Sequence, residues 1–479
     1  MDTTSVALEQ LRAFNRMVSE TPELRSRLVE GSYDVLQQQQ ARLFAALRGR
    51  LKKSGTDGEG SQGGRMRAYA DAAAALLLTA WSAASRRADI VVFAVDMISA
   101  DGDHDFRLDG LYRALRARNL RTVEVLHTLI GSTTLAHARS RKRAAAYHEA
   151  FEILARLWFR FCRCRPKLRA LAAALPCEAF PEGERPFIRK LALQSMEAAL
   201  YAPFKVRLYR WLLRRLKPCA VLGIDDTRYY HDLVAAARDL GIPFHAFQHG
   251  LYTVSHVGWL DDGYGSNAKK IRPDTLVVWS EYWKRELLRL GTYFSENDLL
   301  IGGSPKREKD INPPPPSPSG GFGVLVPYET GAPKHEVSVF LKAFLDDPAI
   351  TVFFKARPDM THEAQLKEYG LETSPRLVIV EKDVESRLPD IHAVVGVCST
   401  YLYDALAFRR PVVIIETSRT SGMAMVHNGL AGFLPKGSDA AALKSLAASS
   451  QSKAEERARA YLGGGVSLDQ TLDALLAGS

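Results

Sequence analysis

Hydrophobic and polar positions are most sharply ordered over 218–250. Here an unbroken apolar run, Ala220–Ile224, stops at the acidic pair Asp225-Asp226. An amphipathic pattern follows (Leu233, Val234, Ala237, Leu240), then Gly241-Ile242-Pro243 turns the chain. A second short run, Phe244–Phe247, ends at Gln248-His249-Gly250. The spacing predicts strand, helix, strand, which is one β-α-β unit with polar groups at both strand ends. Ligands of open parallel sheets bind beyond the carboxyl ends of the strands, so Asp225, Asp226 and His249 are expected at one ligand-binding edge.

The same alternation extends both ways. Upstream, 69–84 reads as a helix, the continuous apolar run 89–98 as a buried strand, 108–118 as a helix and 121–129 as a strand. Residues 135–217 read as a mostly helical insertion. The start of the chain, 1–64, carries a weakly patterned helical stretch and a polar Gly-rich loop, and is read as an accessory helical arm. Downstream come a strand at 275–279, a helix at 281–290 and a strand within 298–304. The segment 312–321 (NPPPPSPSGG) then interrupts the pattern, because consecutive prolines favour an extended, polyproline-like linker. A second alternation follows: strands at 322–327, 350–354, 377–380, 393–397 and 411–415, with helices at 334–345, 402–407, 440–447 and 451–462. The expected organisation is an N-terminal domain over 65–311, the linker, and a C-terminal domain over 322–479, each an α/β doubly wound fold.

Composition narrows the class. A chain of 479 residues with 46% hydrophobic and 25% charged residues is long enough for two cores and has the balance of a soluble globular protein. Its five cysteines are scattered without a CxxC pair, which speaks for a reducing compartment and against a disulfide framework or structural zinc. The first residues lack the basic and apolar regions of a signal peptide, and no window offers a spanning helix, so a cytoplasmic location is expected.

Charge changes the picture at one place. Of the net +10, much lies between Arg160 and Lys217, where fourteen Lys and Arg face four Glu on helical segments that also carry Tyr209 and Trp211. Such a face can be simply solvated, can lie on an anionic membrane surface, or can bind nucleic acid. No zinc finger, RNA-recognition signature or helix-turn-helix spacing supports the last, and no nucleic-acid partner is expected.

Five motifs in order carry a family resemblance: QHG (248–250), DTLVVWSEYWKRELLRLG (274–291), LLIGGSPKRE (299–308), VFFKARPDM (352–360) and VGVCSTYLYDALAFRRPVVII (395–415). Together they resemble bacterial surface-polysaccharide transferases of the GT-B fold, including capsule and lipopolysaccharide glycosyltransferases and teichoic-acid-type polyol phosphotransferases. The resemblance spans about 218–435. It implies two Rossmann-like doubly wound domains facing a cleft, with the N-terminal arm and the basic helical insertion as additions. It further implies a nucleotide sugar as donor substrate held by the C-terminal domain, and a glycan or lipid-linked glycan acceptor held by the N-terminal one. No cofactor and no metal are expected. A cytidine nucleotide is suggested as the donor carrier, and the inner face of the cytoplasmic membrane as the place of work. Alternatives are a polyol-phosphate transferase, a nucleotide-sugar 2-epimerase or a non-catalytic membrane-associated adaptor of the same fold.

An inverting transferase needs a base for the acceptor hydroxyl and groups that stabilise the departing phosphate. His249 sits where the resemblance implies a catalytic base; it can equally position the turn at Gly250. Asp225 and Asp226 compete for the same role, with helix capping as their structural alternative. Gln248 and Asp96 are the acceptor-binding candidates. On the donor side, Lys355 and Arg357 stand where related enzymes carry Lys-x-His-Pro; this chain has KARP, so a protonated His there is ruled out while Arg357 can still neutralise phosphate. Ser399 and Thr400 open the next helix and are expected to offer an anion site. Asp404 stands where many such enzymes place a ribose-binding Glu, and Ser304 is a further donor-phosphate candidate. Asp261-Asp262-Gly263 reads as a turn.

Overall fold

The computed structural model describes residues 3–31, 33–53, 65–85, 87–95, 104–127, 145–160, 165–225, 230–250, 252–254, 256–261, 263, 270–305, 321–357, 360–381, 384–399, 401–419, 422–462 and 466–477. The chain forms two compact units. The first comprises Met1–Val278, Trp283–Glu308 and Val466–Ser479; the second comprises Trp279–Tyr282 and Lys309–Gly465.

The first unit is built on a seven-stranded parallel sheet. Its strands are β1 (Ile90–Val95), β2 (Thr122–His127), β3 (Ala145–Tyr147), β4 (Ala220–Ile224), β5 (Phe244–Phe247), β6 (Thr275–Val278) and β7 (Leu299–Ile301), in the order β3-β2-β1-β4-β5-β6-β7. All six residues of β1 and all five of β4 are buried, as unbroken apolar runs require when helices cover both faces. Gly223 is needed beneath this packing, since a Cβ there would stand 3.1 Å from the Phe93 side chain. Strand order reverses between β1 and β4, which makes their carboxyl ends the topological switch point.

The second unit repeats the plan with six parallel strands: β8 (Phe322–Pro327), β9 (Ile350–Lys355), β10 (Leu377–Val380), β11 (Ala393–Gly396), β12 (Val412–Ile415) and β13 (Gly432–Leu434). Their order is β10-β9-β8-β11-β12-β13, so here the reversal lies between β8 and β11. The core joins Val324, Val352, Phe354, Val395 and Val413 of the sheet to Phe340, Leu341 and Leu443 of the covering helices. Both units are therefore Rossmann-like and doubly wound, the two domain types of a GT-B fold.

Several boundaries differ from the sequence reading. The opening residues are not an accessory arm. Helices Thr3–Glu20, Pro22–Leu28 and Val35–Lys53 bury Leu11, Phe14, Leu43, Phe44 and Leu47 against Leu168, Leu191 and Met196 of the later helices, in one continuous core. A reciprocal amide pair between Asn15 and Gln40, at 3.0 Å both ways, sits inside it. The insertion expected at 135–217 contains β3, which completes the sheet edge. Helix Ala440–Leu462 is continuous rather than two pieces, and helix His362–Tyr369 and β13 were not predicted.

The domain boundary at the chain's end also moves. Helix Leu468–Leu476 packs on the first unit, not the second. Its Thr471 hydroxyl donates to the Gly302 carbonyl at 3.2 Å, and Arg118 pairs with Asp469 and, at 2.7 Å, with Asp473. The linker residues 306–320 lie outside the described residues.

Candidate active site

Asp225 and His249 end adjacent strands, and backbone pairing sets their separation. The Asp225 amide donates to the Phe247 carbonyl at 2.9 Å, which carries the β4–β5 ladder one step past the strands. The Gln248 amide donates to the Val277 carbonyl at 2.8 Å, so β5 is anchored to β6 at the same level. His249 is then left at the strand end with its ring against Asp225. Its Nδ1 makes a short contact with Asp225 Oδ1, and its backbone amide donates to the same oxygen at 3.0 Å. The other carboxylate oxygen accepts from the Tyr252 hydroxyl at 2.7 Å.

Burial decides the roles within this trio. The Asp225 side chain is 1% exposed and that of His249 is 24% exposed. Desolvation alone would raise the Asp225 pKa, but the contacts with His249 and Tyr252 outweigh it and hold the carboxylate below its ordinary range. Tyr252 is pushed the other way, well above the usual phenol value, by burial and by the same carboxylate, so it remains a donor. A buried anion holds the ring through Nδ1, and the imidazole as a whole remains partly exposed. A carboxylate holding an imidazole in this way is the arrangement that acid-base sites use to orient a base. Of the two acids read as competing bases, Asp225 is too deeply enclosed to reach a substrate, and Asp226 lies outside the described residues.

Gln248 is fully buried. Its side-chain amide donates to the Gly250 carbonyl at 2.8 Å across the turn that holds His249, so the side chain lies behind the turn. Asp96 lies outside the described residues. Asp261 is the turn predicted: its Oδ1 accepts from the Gly263 amide at 3.0 Å and from Lys270 at 2.7 Å, with Gly263 at φ +75°.

In the second unit the donor-side candidates follow β9 and β11, the two strands that flank β8 at that sheet's own switch point. Gln365, fully buried, bridges the loop after β9 by accepting from the Arg357 amide and donating to the Arg357 and Met360 carbonyls, each at 2.9 Å. This leaves the Arg357 side chain exposed. Lys355 donates to the Ala356 and Glu381 carbonyls at 2.9 Å each, and burial lowers its pKa. Two of its three ammonium donors are thus committed to the loop. Ser399 Oγ accepts from the Tyr401 amide at 3.1 Å. The helix it opens, Tyr401–Asp404, is a single turn continued by a 3-10 turn over Ala405–Phe408, so the segment expected as a helix over 402–407 is helical but only partly α. Asp404 is half-buried in that turn, Ser304 is half-buried after β7 in the first unit, and Thr400 lies outside the described residues.

Glu329, unremarked in the sequence, is a buried acid of this unit. It follows β8 and is buried, and its carboxylate accepts from the amides of Val397 at 3.0 Å and Cys398 at 2.7 Å. These amides belong to the strand-to-helix turn in which an anion site was expected, and an internal carboxylate already satisfies them. Lys334 contacts the Glu329 carbonyl and lies 3.9 Å from the Tyr328 ring centre and 4.7 Å from that of Tyr369. Burial lowers the Lys334 pKa more than the neighbouring Glu368 and Glu329 raise it. No spacing rule flags this cluster; its only sequence signal is a charged residue two positions past a buried strand.

Comparison with protein-family models matched none, and no curated protein matched. Solved structures of similar architecture were found. CalG4, the calicheamicin glycosyltransferase, has a TM-score of 0.49 at 14% identity, covering 82% of this chain and 99% of its own. Acinetobacter baumannii MurG has 0.47 at 9% identity, with 81% and 99% covered. UDP-GlcNAc 2-epimerase from Neisseria meningitidis, solved with UDP-GlcNAc, has 0.46 at 10% identity, with 81% and 99% covered. The likeness is one of fold, and transferases and epimerases share it.

Proposed function

We propose that the protein is an inverting, metal-independent glycosyltransferase that uses a nucleotide sugar, with a cytidine nucleotide as first candidate carrier, to build a bacterial cell-surface polysaccharide or lipopolysaccharide glycan at the cytoplasmic membrane face. The observation that carries this reading is the buried Asp225 carboxylate locking a partly exposed His249 at the carboxyl ends of β4 and β5. In the proposed step His249 Nε2 takes the proton of the acceptor hydroxyl as its oxygen attacks the anomeric carbon from the face opposite the leaving group. The bond to the phosphate oxygen breaks, the electron pair leaves with the nucleotide, and configuration inverts. Asp225 holds the ring and offsets the positive charge that develops on it.

The leaving phosphate is assigned to the second unit. Arg357 is the best-placed cation, because Gln365 fixes its backbone while the guanidinium stays exposed. Lys355 contributes its remaining donor, and Ser399, Thr400, Asp404 and Ser304 complete the proposed donor contacts. Turnover of a panel of nucleotide sugars with membrane-glycan acceptors tests the reading. His249→Ala is expected to lower the transfer rate by about 10²-fold or more with the fold intact. Unchanged transfer in that variant contradicts the assignment, and epimerisation of a donor without any acceptor would move the chain to the other chemistry this fold supports.

A further inference from the structure

The helices Arg65–Ser85, His148–Arg160 and Arg185–Leu216 pack against one another as one layer of the first unit. Each buries one side and leaves the other to solvent. On the first, Ala75, Thr79, Ser82 and Ala83 are buried while Leu77 and Trp81 are exposed, Trp81 by 69%. On the second, Leu157 and Trp158 are exposed, Trp158 by 63%, and its ring stacks flat on Phe204 of the third helix, 5.5 Å between centres and 7° between planes. The third helix presents Leu200, Phe204, Arg207, Trp211 and Arg214 at spacings of four, three, four and three residues, which is one stripe along its surface. Single exposed apolar residues need no explanation, but here three exposed tryptophans are carried by one layer of adjacent helices.

Beside Trp211 the surface turns strongly basic. A concavity of about 660 Å³ is lined by Arg87, Arg207, Arg210, Arg214, Arg215 and Lys217, with Trp211 at its edge. Among the described residues no carboxylate lines it, and Asp239 meets only its rim, 3.4 Å from Arg210. Arg87, two residues beyond the first helix, and Trp211 of the third line the same hollow, so one exposed tryptophan and the cationic side chains meet there.

We propose that this face is a membrane-docking surface: Trp81, Trp158 and Trp211 enter the interfacial region of the bilayer, and the arginine-lined hollow holds anionic lipid headgroups. Amphipathic indole rings favour that depth, and guanidinium groups pair with lipid phosphates. The inference rests on the membrane-face part of the function proposed above and names its surface. It needs no helix that crosses the bilayer, and among the described residues no helix is long and apolar enough to do so.

The test uses the full chain without nucleotide, so it is independent of catalysis. Vesicles of phosphatidylcholine alone, and with phosphatidylglycerol, are floated with the protein. The expected result is binding to the anionic vesicles only, with a blue shift of tryptophan emission. Each cation near the surface contributes about fivefold, so Arg207→Ser, Arg214→Ser and Arg215→Ser together should weaken binding about a hundredfold. Trp81→Ala, Trp158→Ala and Trp211→Ala together should abolish the emission shift and lower partition at least tenfold. All six positions are on the surface, and unchanged melting of the variants confirms that the fold is retained. Equal binding to both vesicle types, no binding, displacement by millimolar inorganic phosphate, preference for an RNA oligonucleotide over vesicles, or unaltered binding by the tryptophan variant would each overturn the proposal. Loss of lipid binding with normal transfer to a soluble acceptor would leave the catalytic reading standing alone.

Discussion

A single carboxylate organises each candidate site, and in both cases it is an internal one. Asp225 is enclosed, and its carboxylate is taken up by His249 and Tyr252. Asp225→Asn is therefore expected to keep the shape of the turn yet lower turnover by about 10²-fold or more, because an amide cannot both orient the ring and offset its charge. Steady-state rates alongside a melting curve separate this from unfolding. Glu329→Ala is expected to act on stability first. It strands the buried Val397 amide and the part-buried Cys398 amide, at a cost of about 1–3 kcal/mol for the buried one, which denaturant titration would register. Gly396 belongs to the same lock, since a Cβ there would collide with the Glu329 carboxylate and stand 2.8 Å from Leu402. Why one acid was legible and the other not is a matter of sequence distance. Asp225 announces itself by ending an apolar run at a strand-helix junction. Glu329 acquires its role from amides 68 and 69 positions further along the chain, and Tyr252 acquires its own from Asp225 across 27 positions. No local pattern records such contacts.

Elements carried more of their own signal. Strands with continuous apolar runs, such as β1, β4, β8 and β12, stood out because burial on both faces leaves no polar position to confuse the period. The opening helices did not stand out. Their apolar stripe is interrupted by the Gln37–Gln40 run, of which Gln37, Gln38 and Gln40 are buried polar residues; Gln37 donates to the Tyr293 hydroxyl at 2.7 Å and Gln40 to Asn15 at 3.0 Å. Helix Arg185–Leu216, read for its surface charge, also carries a buried cation. Lys205 pairs with Asp232 at 2.6 Å and Glu152 at 2.8 Å, and the two acids outweigh burial and raise its pKa. Lys205→Met takes its cation from the buried Asp232 carboxylate, while Glu152 keeps Arg156 at 3.8 Å, and should cost about 3–5 kcal/mol by denaturant titration.

Beside that network His148, bonded to the Tyr209 hydroxyl at 2.6 Å, is held down to about 4, chiefly by burial. It is neutral in the fold, whereas the unfolded chain takes up its proton near pH 6.5. Stability from this residue is thus present above pH 6.5 and lost as pH falls towards 4, by about 1.4 kcal/mol per unit at most. In His148→Gln the slope of stability against pH should flatten in that window. At the last helix, Gly302→Ala would drive a Cβ into Val277 and to 2.7 Å from Thr471, so melting should fall by an amount equivalent to about 1–3 kcal/mol.

For the whole molecule, each unit is a complete Rossmann-like sheet, and each places its candidate groups beside its own strand-order reversal. That placement followed from the sequence, because the alternation of strands and helices fixes which ends carry loops. The return of the chain's last helix to the first unit did not, since Arg118 and Asp473 are 355 positions apart. The claim on which the function stands is that the second unit holds a nucleotide. Thermal melting of the intact protein against CMP, CDP, UDP, GDP, dTDP and ADP addresses it directly. One nucleotide is expected to raise the melting point, equivalent to about 2.7 kcal/mol at a hundredfold excess over its dissociation constant. Arg357→Ala should remove most of that rise. An unchanged melting curve with all six nucleotides, or a full shift retained by Arg357→Ala, would contradict the account.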